Sequence, residues 1–76
     1  GSELGAKIVI SANNIHIENI SNEIIDFQII DFMGKIIKTG VLEGYDNIQL
    51  YLQKNETIKY LKVYNNKDFK VYEIVY

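Results

Sequence analysis

The chain has 76 residues, a formal net charge of −2 from eight lysines and ten carboxylates, and neither arginine, cysteine nor proline. That length holds one small domain with a modest core; lysines and carboxylates spread along the chain give no phosphate-tracking patch, and the bidentate guanidinium groups that base recognition favours are missing, so nucleic acid is not an expected partner. No cysteine means no disulfide, no thiolate nucleophile and none of the usual zinc sites, and no apolar run approaches the roughly 20 residues of a membrane helix, so membrane insertion is not expected either.

Gly1 and Ser2 read as the remnant of an expression tag, which leaves residues 3–76 as a single domain, expected to be a segment of a longer protein. Along it, apolar residues recur at every second position. Ile8 and Ile10 come first, followed by Ile15 and Ile17 around His16, and then Phe27 and Ile29 around Gln28. Leu50 and Leu52 bracket Tyr51, Leu61 and Val63 bracket Lys62, and Phe69 and Val71 bracket Lys70. This is the period of a strand with one face buried, and the abundance of β-branched and aromatic residues favours a pleated surface over a helix. Turn-forming clusters separate the runs: SANN at 11–14, NISNE at 19–23, DFMGK at 31–35, EGYDN at 43–47, QKNET at 53–57 and NNKD at 65–68. The pattern predicts an all-β fold of about seven short antiparallel strands, best satisfied by an immunoglobulin-like sandwich, with a small open barrel as the alternative. Without proline, strand edges must be protected by lysines and twist.

Residues 26–40, DFQIIDFMGKIIKTG, predict a hairpin. Its strands run from Ile24 to Asp31 and from Lys35 to Leu42, with Phe27, Ile29 and Ile37 facing inward. Asp31 takes the first position of a type I turn, where its carboxylate accepts backbone N–H groups two or three residues on. Gly34 takes the position that needs a positive φ, and Lys35 resumes the strand.

Catalytic raw material is scarce, and no enzyme, metal or cofactor is expected. His16 is the sole imidazole, out of phase with Ile15 and Ile17 and so an exposed strand residue. Asp26 and Asp31 fall on opposite faces under simple alternation, and Asp46 and Asp68 sit in turns with no spacing like a calcium loop. The second half is rich in tyrosine. Tyr60 with Tyr64, and Tyr72 with Tyr76, each share a face, so neighbouring strands would bring all four into one stripe. Such a stripe either stacks on sugar rings or simply stabilises the sheet through cross-strand pairs. Asn19-Ile20-Ser21 and Asn55-Glu56-Thr57 match the glycosylation acceptor pattern, as an asparagine-rich chain will by chance.

The succession KIVISANNIHIEN, IIDFQIIDFMGKIIKTG, NIQLYL and IKYLKVYNNKDFKVYEIVY resembles the type A C-terminal sorting domain of the Bacteroidetes type IX secretion system, over nearly the whole chain. FQIIDFMGKII is similar to that family's strand, Asp, two residues, Gly, basic residue and apolar strand, and LKVYNNKDFKVYEIV to its closing hairpin. The sequence departs from the family in having no Pro-Asn-Pro element at its start, no Gly-apolar-Tyr step before the penultimate strand, and Glu73 where a basic residue is usual. The resemblance implies a non-catalytic address label at the end of a secreted protein. Its partners would be an N-terminal cargo domain, the outer-membrane secretion machinery and a sortase-like peptidase, and the route would lead through the periplasm to the cell surface. Recognition would then fall on the last strand, Phe69, Lys70, Val71, Tyr72, Glu73, Ile74, Val75 and Tyr76, by addition of a partner strand to its edge. A carbohydrate- or protein-binding module of a surface protein, or a structural spacer, is the alternative.

Overall fold

The computed structural model describes residues 4–11, 13–53 and 58–74. Among the described residues seven strands follow one another: β1 (Ala6–Ser11), β2 (Asn14–Asn19), β3 (Ile25–Asp31), β4 (Ile36–Leu42), β5 (Asn47–Tyr51), β6 (Ile58–Tyr64) and β7 (Phe69–Glu73). Two antiparallel sheets, in the orders β1-β2-β5 and β4-β3-β6-β7, pack into a small immunoglobulin-like sandwich. In the constant-type arrangement the fourth strand joins the first sheet; here β4 stays beside β3 on the second.

Period-two burial builds the core. Ile15 and Ile17 of β2, Ile25, Phe27 and Ile29 of β3, and Leu61 and Val63 of β6 are all at most 2% exposed, so the two central strands of the large sheet face the central strand of the small one. Leu42, Leu50, Leu52, Ile58 and Ile74 close the ends of this layer. Each such side chain taken out of water contributes about 1.5–3 kcal/mol, which offsets the cost of ordering a short chain.

The 26–40 hairpin forms, with corrections to its strand starts, Ile25 and Ile36, and to Ile37. Asp31 N–H donates to the Lys35 carbonyl at 2.9 Å and Gly34 N–H to the Asp31 carbonyl at 3.0 Å. The Asp31 carboxylate accepts the N–H groups of Met33 (2.9 Å) and Lys35 (2.8 Å), and Gly34 has φ of 86°. β3, however, begins at Ile25, leaving Ile24 exposed, and Ile37 is not buried: it is 42% exposed, at the rim of the core beside Ile29, Leu50 and Ile58. Ile29 pairs with Lys38 and Ile30 with Ile36, so Ile37 is the extra residue of a β-bulge. The bulge leaves Leu42 and Gly40 facing the core, with Lys38 exposed beside Ile29, and puts Ile36 on the solvent face with Ile30. Gly40 is required there, because a Cβ would run into the Phe27 ring.

β7 also differs from its expected phase. Leu61 pairs with Tyr72 and Val63 with Lys70, so Tyr72 faces the core side while Phe69 (63% exposed) and Val71 (49%) face solvent.

A buried polar residue ties the crossovers between sheets. Asn19 ends β2 at 1% exposure. Its side-chain amide donates to the carbonyls of Glu23 (2.6 Å), Glu43 (3.0 Å) and Leu42 (3.3 Å), and its Oδ1 accepts Ser21 N–H (3.0 Å) and Ser21 Oγ–H (2.8 Å). Its backbone N–H donates to Asp46 O at 2.8 Å, and Tyr45 N–H to Ser21 O at 2.9 Å. The loop from β2 to β3 is thereby stapled to the loop from β4 to β5. Both loops leave their sheets, so their polar backbone groups have no ladder to join, and one amide side chain satisfies several at once.

Candidate functional site

The closing hairpin carries the surface best suited to a partner. A four-residue turn, 65–68, joins β6 to β7, with Asn65 N–H donating to the Asp68 carbonyl at 2.9 Å. Asn65 Oδ1 accepts both Lys67 N–H and Asp68 N–H at 2.8 Å, a local cap that an Asn at the head of a turn supplies without help from tertiary contacts. At the far end Ile74, 3% exposed, anchors the strand in the core and donates its N–H to Lys59 O at 2.7 Å.

Those two bonds set the phase of the ladder between them. Antiparallel pairs alternate between hydrogen-bonded and open, so Val63/Lys70 and Leu61/Tyr72 are the bonded pairs. Phe69, Val71 and Glu73 consequently turn their N–H and C=O groups away from β6, and among the described residues no strand pairs with that side of β7. The Phe69 N–H is met by its neighbour, the Asp68 carboxylate, at 2.8 Å. Val71 and Glu73 present donors and acceptors at a straight edge. The opposite edge of the same sheet, β4, is bent by its bulge, which blunts it as a template.

Beside the β7 edge runs a groove of about 500 Å³, with Leu4, Ala6 and Ile20 on one wall and Asp68, Phe69, Lys70 and Tyr72 on the other. Lys70 faces the core side of an edge strand, with its ammonium 5.7 Å from the Tyr72 ring centroid. An inward lysine of this kind discourages indiscriminate strand pairing, so a strand added here must leave room for, or neutralise, one positive charge. The arrangement supplies hydrogen bonds and shape. Among the described residues no three His, Cys, Asp or Glu side chains lie together as metal ligands.

The residues singled out from the sequence separate as follows. Phe69, Lys70, Val71, Tyr72 and Glu73 form β7, Ile74 is its core anchor, and Val75 and Tyr76 lie outside the described residues. Asp31, Gly34 and Lys35 form the tight turn of the β3–β4 hairpin, where the Asp31 carboxylate is spent on backbone N–H groups. The tyrosine stripe does not assemble. β6 and β7 are neighbours, but Tyr60 pairs with Glu73 and Tyr64 with Phe69 on the outer face, whereas Tyr72 lies on the core face opposite Leu61. What the outer face does hold is Lys62, whose ammonium sits 5.1 Å from the Tyr64 ring centroid and 5.3 Å from that of Phe69, covering ring faces a sugar would need. His16 is half-buried rather than fully exposed, between Val9 and Gln49 on the outer face of the small sheet. Asn19, in the first glycosylation-like triplet, is buried and fully engaged, which closes that site in the folded state; Asn55 lies outside the described residues.

The sequence reading missed the Asn19 staple, although its signal was present: an Asn in phase with Ile15 and Ile17 is an inward polar residue that must find partners. Comparison with protein-family models and with curated proteins finds no match to this chain.

Proposed function

We propose that the domain is a non-catalytic sorting label, of the C-terminal type its sequence resembles, that directs an attached cargo through an outer-membrane secretion machinery to the cell surface. The observation that carries this reading is the open edge of β7. The strand that the resemblance makes the recognised element is also the one whose backbone N–H and C=O groups at Val71 and Glu73 face outward beside a groove. A partner strand added there gains main-chain hydrogen bonds for affinity and draws selectivity from Lys70, Tyr72 and the groove walls. Such a label performs no reaction of its own.

The test is export of a reporter fused ahead of the domain, in a bacterium that has a type IX apparatus. Deleting residues 69–76 stops surface delivery, and so does Val71→Pro, which removes an outward N–H while leaving the β6–β7 ladder intact. Undiminished export of both variants overturns the proposal.

A further inference from the structure

The two outer faces of the sandwich differ in chemistry. That of β1-β2-β5 is mostly polar, carrying Lys7, Glu18, His16 and Gln49. That of β4-β3-β6-β7 is not. Cross-strand partners share a face, so the register arranges it in three rows of four. One end row reads Val41, Asp26, Tyr64, Phe69 across the sheet; the middle row reads Thr39, Gln28, Lys62, Val71; the far row reads Ile36, Ile30, Tyr60, Glu73. Seven of these twelve positions are aliphatic or aromatic, and Ile36, Val41, Phe69 and Val71 are each 49% exposed or more. Ile36, Ile30 and Tyr60 form one apolar stretch and Tyr64, Phe69 and Val71 another, on either side of Gln28 and Lys62, and exposed apolar groups clustered in this way mark a contact surface.

We propose that this face packs against the same face of a second copy of the chain, related by a two-fold axis parallel to the strands and midway between β3 and β6. The axis exchanges β4 with β7 and β3 with β6 while keeping each row in place. Val41 then lies over Phe69 of the second copy, Ile30 over Tyr60, and Thr39 over Val71. Two of the three charged positions complement as well, while Glu73 lies over Ile36 of the second copy at the rim. Lys62 lies over Gln28 of the second copy, and its ammonium is drawn toward the Tyr64–Phe69 row. That displacement brings it beside Asp26 of the second copy, and symmetry makes the ion pair twice. Rotation about an axis across the strands instead would stack Lys62 on Lys62. Four strands at about 4.8 Å and seven residues at about 3.4 Å give roughly 450 Å² per copy, or about 900 Å² in all. This falls below the ~1,200 Å² of stable interfaces, so the dimer is a weak, transient one. The surface is distinct from the β7 edge, so this inference does not rest on the sorting role.

Sedimentation equilibrium of the 76-residue chain from 10 µM to 1 mM tests it. The wild type shifts from monomer to dimer across that range. Lys62→Glu, which sets a carboxylate against Asp26 of the second copy, raises the dissociation constant at least about tenfold, and Asp26→Lys does the same. The double variant, Asp26→Lys with Lys62→Glu, restores association. Val41→Glu, at the end of a row on an edge strand, also weakens it and serves should the paired variants lose their β circular dichroism. A chain that stays monomeric at 1 mM overturns the proposal. So does dimerisation unaffected by Lys62→Glu and Val41→Glu but lost in Val71→Pro, the signature of edge pairing.

Discussion

Asn19→Ala removes the staple between the two crossover loops, and the structure sets the size of the effect. The Leu42 carbonyl loses a buried donor, which costs about 1–3 kcal/mol as an orphaned acceptor. The carbonyls of Glu23 and Glu43, and the N–H of Ser21, are only partly buried, so water replaces much of what they lose, at about 0.5 kcal/mol each. The sum is about 3 kcal/mol, a large share of the roughly 4–11 kcal/mol expected for 76 residues. With an m-value of about 1 kcal/mol/M for so small a domain, the urea midpoint falls by about 3 M. The measurement is equilibrium urea unfolding followed by far-UV circular dichroism together with tyrosine fluorescence, since the chain has no tryptophan. Ser21→Ala, which removes one hydroxyl from the same cluster, costs about 1 kcal/mol and remains measurable if Asn19→Ala does not fold. A midpoint shift under about 1 M for Asn19→Ala, with the slope unchanged, would show that the loops hold each other without the amide.

Gly34→Val forces a β-branched residue to φ near 86° and lowers stability by about 1–2 kcal/mol, read as a drop in melting temperature; an unchanged midpoint refutes the turn assignment. Gly40→Ala drives a methyl group into the Phe27 ring and costs about 1–3 kcal/mol, and adding Phe27→Leu recovers part of that loss, a coupling that a double-mutant cycle in urea measures. Val71→Pro stays within about 1 kcal/mol of wild type because its N–H points away from β6, whereas Lys70→Pro breaks a ladder bond and costs about 3 kcal/mol. Equal thermal shifts for the two proline variants would contradict the ladder phase derived for β7.

Residues with one strongly preferred reading were legible without coordinates. Ile15 and Ile17, flanked by Asn14, His16 and Glu18, allow only one inward phase, as do Ile25, Phe27 and Ile29 set against Asp26 and Gln28. The Asp31 turn is legible because its bonds close within five residues. β7 is different. In FKVYEI one alternating set holds Phe69 and Val71 and the other holds Tyr72 and Ile74, so either face can be buried on hydrophobicity alone. Pairing with β6 and the Ile74 anchor decide it, and with it the fate of the tyrosine stripe. Ile37 was misread for a related reason: a bulge inserts one residue into the count, and nothing local distinguishes IIK with a bulge from IIK without one.

Local chemistry, acting over two to five residues, was enough to determine that this chain forms seven short strands, where its turns fall, and which isoleucines lead into the core. Tertiary pairing alone decided the phase of β7, the bulge in β4, the placement of Asn19 under two loops, and the open backbone edge. Each of those depends on what lies across the sheet or between sheets, often more than twenty residues away along the chain, and alternation within a single strand carries no information about its neighbour.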